Sequence, residues 1–121
     1  MVVPATPSYI RVLRLVAAGL ASRLAFTIDE IEDLKIAVDE LSAYLTGSQG
    51  REGSIEIAFE VEGSSLTIRG TGRFEAGDKV RTDLTDFSKM ILETVVDSAS
   101  LAQTEGAPTF TLVKSKQLET T

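Results

Sequence analysis

The stretch TIDEIEDLKIAVDELSAYL, residues 27–45, constrains this chain more than any other. Thr27 and Glu30 stand in the T-x-x-E spacing of a capping box, in which each side chain satisfies a backbone N–H of the other residue. Phe26 and Ile31 occupy the two positions of a hydrophobic staple. Ile31, Leu34, Val38, Leu41 and Leu45 recur at steps of three and four, so they share one face that must be buried. Glu40 lies well off that face, at the rim where a helix can present a carboxylate to a cleft. A helix with a defined start and one apolar side needs a second layer to pack on.

The rest of the chain supplies that layer. Residues 1–5 read as a frayed or added strand. Thr6 can cap a first helix with Pro7 at its first position, and Ile10, Leu13, Ala17, Leu20 and Leu24 form its stripe. Gly47 can end the second helix, and residues 48–53 form a polar loop. Ile55, Ile57, Phe59 and Val61 alternate with Glu56, Ala58, Glu60 and Glu62, the pattern of a strand with one wet face. Residues 63–65 turn the chain, and 66–69 return as the hairpin partner. Residues 70–82 carry three glycines without periodicity and read as a loop. Asp83 can cap a third helix to about Asp97 that buries Leu84, Phe87, Ile91 and Val95. Residues 100–104 and 109–113 read as strands joined at Glu105-Gly106, and 114–121 as a polar, flexible tail. Helices grouped against a mainly antiparallel sheet make an α+β two-layer sandwich, and 121 residues fit a single domain over 1–121.

Composition narrows the chemistry. The net charge of −6 argues against direct nucleic-acid binding, which needs a basic footprint. There is no cysteine and no histidine, so thiolate metal sites, disulfides and Ser-His triads are excluded. No metal site is expected. Residues 12–20 are apolar but too short to span a bilayer, and no basic region precedes them, so a cytoplasmic protein is expected with no membrane contact.

Residues 9–45, and above all E-D-L-K-I-A-V-D-E from Glu32 to Glu40, resemble the opening helices of the anti-sigma-factor serine kinases, which have the GHKL (histidine-kinase-like) ATPase fold. A looser likeness continues through a hairpin, a loop, a helix ending near Val96-Asp97 and a last strand TFTLVKSK. The resemblance implies that Glu40 holds the family's general-base position, and that an asparagine four residues on, which ligates magnesium, is replaced here by Tyr44. A neutral phenol is a poor magnesium ligand, and this one is bulky enough to enter the space of a phosphate. The family's D-x-G-x-G box falls on Gly70-Thr71-Gly72: Gly70 stands where an aspartate would hold adenine, only Gly72 matches, and Asp78 is a displaced substitute at the wrong spacing. The family's glycine-rich lid falls on residues 82–87, which hold no glycine and two aspartates, Asp83 and Asp86.

The resemblance therefore implies an anti-sigma factor that sequesters an alternative sigma factor, with a STAS-domain anti-anti-sigma protein as competitor, a homodimer paired through its first helix, and no bound cofactor. The alternative is an active serine kinase using ATP and magnesium, with Glu40 as base and the STAS protein as substrate. A third reading is an orphan GHKL-like dimerisation module. Arg11 and Arg14, with Leu15, are candidate partner contacts, although exposed arginines also simply pair with nearby carboxylates. Glu40 likewise reads either as a base or as a solvated flank carboxylate.

Overall fold

The capping box closes as its spacing predicts. In the computed structural model, which describes residues 1–75 and 79–117, Glu30 N–H donates to Thr27 Oγ1 at 3.1 Å and Thr27 N–H donates to Glu30 Oε1 at 2.7 Å. The helix that starts there, α2 (Ile28–Thr46), buries Leu34, Val38, Leu41 and Leu45 completely, while Ile31 at its start is half-buried. Before it come β1 (Val2–Pro4) and α1 (Pro7–Arg23); after it come β2 (Ser54–Glu62), β3 (Ser65–Arg73), α3 (Asp86–Val95), β4 (Ser98–Thr104) and β5 (Ala107–Ser115).

A tight turn folds α2 back along α1. Phe26 N–H donates to Ala21 O and Ala25 N–H to Ser22 O, the bonds of a Schellman motif. Ala25 sits at the left-handed position, φ 62°, where glycine is usual. The five strands form one antiparallel sheet in the order β1-β2-β3-β5-β4. One face is apolar, with Ile55, Ile57, Leu66, Ile68, Leu101, Phe110 and Leu112 buried beneath the helices. The other carries exposed Glu56, Glu60 and Arg69. This is the α+β two-layer sandwich expected. β4 and β5 are joined by Glu105-Gly106, both at positive φ, as a two-residue hairpin turn requires.

Four local expectations are corrected. β3 runs on to Arg73, so Gly70-Thr71-Gly72 is strand and not loop. The reason is cross-strand packing: Gly70 pairs with Phe110, whose ring lies where a side chain would be. A Cβ built on Gly70 would meet Phe110 Cε2 at 2.4 Å, and one on Gly72 would meet Phe74 Cε2 at 2.4 Å. Second, α3 is capped by Thr85 rather than Asp83 and buries Ser88, Leu92 and Val95. Third, Phe87 is 67% exposed, although its spacing from Ile91 suggested burial, because the fold covers the Ser88, Leu92 and Val95 side of α3. Fourth, the segment read as a tail is ordered through its first residues. Lys114 and Ser115 belong to β5, and Gln117 N–H donates to Glu30 Oε2 at 2.7 Å.

Candidate functional site

Glu40 and Tyr44 are one helical turn apart on α2 and point together at the start of α3. Ser88 Oγ donates to Glu40 Oε1 at 2.6 Å. Its one hydrogen is then committed, so in the 2.8 Å contact between Tyr44 Oη and Ser88 Oγ the phenol is the donor. Thr85 Oγ1 donates to Ser88 Oγ at 3.0 Å and accepts from Ser88 N–H at 3.0 Å, the N-cap of α3. Thr85 N–H in turn donates to Tyr44 Oη at 3.0 Å. The bonds run in one direction, from the backbone at the head of α3 through the phenol and the serine to the carboxylate of Glu40.

This network sets the electrostatics. Burial pushes the Tyr44 phenol up, but hydrogen bonds with Ser88 and with the Thr85 backbone and hydroxyl, and the charge of Arg81, outweigh it and hold it below the usual tyrosine value. Glu40 is half-buried and bonded, not a free carboxylate on a solvated flank. Glu40, Ala43, Tyr44, Thr85 and Ser88 line an open recess of about 260 Å³. Asp86 stands in the first turn of α3, where it complements the helix dipole and repels an anion.

The other predicted site residues do not join this recess. Gly70 is covered by Phe110, and Gly72 by Phe74, whose ring lies 5.9 Å from the Arg51 guanidinium. Arg51 also donates through Nε to Leu45 O at 2.8 Å, so it ties the end of α2 to this aromatic cover. Asp78 lies outside the described residues. On α1, Arg14 pairs with Asp39 at 3.0 Å, while Arg11 and Leu15 face solvent, Leu15 being 72% exposed. Arg14 and Asp39 rim a groove between α1 and α2, floored by Ile10 and Ala43, and Ala43 also lines the recess at Glu40.

As a magnesium-nucleotide site the donors are a poor set. One carboxylate, already accepting a hydroxyl, stands beside a phenol, and magnesium favours carboxylates, phosphates and water. No group of three or more Asp, Glu, His or Cys side chains converges among the described residues. Thr85 and Ser88 were missed from sequence. The signal existed, because Thr85 three residues before Ser88 has cap spacing, but Asp83 competed for the same role.

No protein-family model matches the chain. It is 44% identical over 71 residues to serine-protein kinase RsbW of Bacillus subtilis, covering 56% of this chain and 44% of that one. RsbW of Bacillus pumilus is 38% identical over 73 residues, covering 56% and 45%. RsbW of Oceanobacillus iheyensis is 36% identical over 81 residues, covering 64% and 51%. The chain thus spans about half the length of these curated relatives. No helix among the described residues is long and apolar enough to cross a membrane. Over that shared region the chain is similar to these serine-protein kinases, and its three helices on one antiparallel sheet are consistent with the two-layer sandwich of the GHKL fold.

Proposed function

We propose that this protein is a cytoplasmic anti-sigma regulatory factor that holds an alternative sigma factor by protein–protein binding and transfers no phosphate. One observation carries the reading. The Tyr44 hydroxyl joins α2 directly to the head of α3, at the position where the family's resemblance places a magnesium-ligating asparagine. A bond between protein groups then holds the two elements that a magnesium nucleotide would otherwise bridge. The aromatic cover on Gly70 and Gly72 supports the same reading, since these glycines seat the protein's own rings. A STAS-domain protein is the proposed competitor. A homodimer is proposed through α1, whose Val12 and Leu15 are exposed beside the half-buried Val16.

The kinase reading is favoured by Glu40, which the resemblance puts at the family's base position and which lines an open recess. Phosphate transfer to a co-purified STAS protein separates the two. Wild type and Glu40→Gln are compared, because glutamine keeps an acceptor for Ser88 Oγ–H. The expected result is no transfer by either form, with sigma-factor binding intact in both. Transfer by the wild type that falls by about 100- to 10,000-fold in Glu40→Gln, as loss of a general base does, overturns the proposal.

A further inference from the structure

The apolar arc of α3 is wider than the fold covers. At 3.6 residues per turn, Ser88, Leu92 and Val95 form its buried side and Ile91 its margin. Next to Ile91 around the helix come Phe87, Thr94 and Met90, and Phe87 is 67% and Met90 59% exposed. Two large side chains at i and i+3, left in water side by side, form a patch rather than a scattered exposure.

The neighbours of this stripe are acidic. On α3 the next positions around the helix are Asp86 and Glu93, and Lys89 lies beyond them. On its other side is α2. The two helices run antiparallel, because Tyr44 meets Thr85 and Ser88 while Lys114 Nζ donates to Val95 O and sits 3.7 Å from Asp33. α2 faces α3 there through Glu40 and Tyr44, and Ile36, one turn before Glu40, is itself 45% exposed. An apolar strip thus lies beside an exposed carboxylate-bearing flank, Asp86 and Glu93.

We infer that the outer face of α3, centred on Phe87 and Met90, is a docking site for an amphipathic helix of a partner protein that carries lysine or arginine beside its apolar stripe. Such a helix lays its apolar residues on Phe87 and Met90 and its cations against the flanking carboxylates. Methionine suits this role because its unbranched side chain adapts to the partner's shape. The site is separate from the exposed face of α1, so both can be engaged in one molecule.

The test uses the whole protein and two fluorescent peptides, one an amphipathic helix of leucine and lysine, the other the same helix with glutamate for lysine. Anisotropy titration is expected to show binding of the lysine peptide. The double variant Phe87→Ser, Met90→Ser should weaken that binding by about tenfold or more, as loss of anchor residues does. Asp86→Asn with Glu93→Gln should also weaken it and leave the apolar residues in place. Both pairs are exposed, and a circular dichroism melt confirms that each variant is folded. The proposal is overturned if the lysine peptide fails to bind up to about 1 mM, the weak limit of useful affinity. It is equally overturned if the glutamate peptide binds as well, or if folded variants of either kind bind like the wild type.

Discussion

Replacing Tyr44 by phenylalanine removes one oxygen atom and two hydrogen bonds, and keeps the ring. The bonds are the 3.0 Å contact from Thr85 N–H and the 2.8 Å contact to Ser88 Oγ. Ser88 Oγ keeps its bonds to Glu40 and Thr85, so the group stranded is the Thr85 N–H. A hydrogen bond of this kind contributes about 1 kcal/mol net, and a fully buried stranded donor costs about 1–3 kcal/mol. Here the recess is open and water can reach the donor, so the two losses together come to about 1–2 kcal/mol. For 121 residues the unfolding entropy is about 0.25 kcal/mol/K, and Tm should fall by roughly 4–8 °C. Urea and thermal melts measure the loss, and amide exchange locates it. Faster exchange is expected at Thr85 and Ser88, with little change in the sheet. A Tm within about 1 °C of wild type, or unchanged exchange at those amides, refutes the idea that the phenol braces α3.

Two further predictions rest on packing and charge. Gly70→Ala places a Cβ 2.4 Å from Phe110 Cε2 and 2.6 Å from its Cζ, against a ring with no free surface, so it should destabilise by about 1–3 kcal/mol in urea melts, as overpacking does. Glu30 is only 7% exposed; burial raises its carboxyl, but the Thr27 and Gln117 N–H groups, the Thr27 hydroxyl and the charge of Lys114 outweigh that and hold it below its ordinary 4.5. A lowered folded value means stability that is full above pH 4.5 and is lost as the pH falls through the depressed one. Glu30→Gln should therefore lose less stability between neutral and strongly acid pH than the wild type does, and equal acid sensitivity of the two would contradict the assignment.

What the sequence determined by itself was local. The capping box at Thr27 and Glu30, the apolar face of α2, the alternation along β2 as far as Phe59 (Val61, at the strand's end, is 51% exposed) and the turn at Glu105-Gly106 all depend on residues close in the chain, and each formed. So did the layer count, because amphipathic helices and half-wet strands have few ways to bury their faces. Glu40 and Tyr44 were legible as a pair because their spacing puts them on one side of a helix. Tertiary structure decided the rest. Gly70 looked like part of a loop until Phe110, forty residues away, showed why the strand needs it bare. Phe87 looked buried because its spacing fits an apolar face, but where that face turns depends on which side of α3 the sheet and α2 occupy. Ser88 became part of the site only when α3 docked against Tyr44, and the second oxygen of Glu30 found its partner only when residue 117 returned beside α2. Local pattern records what each element can bury. It does not record which neighbour will arrive, because contacts between distant residues are chosen by the packing of the whole.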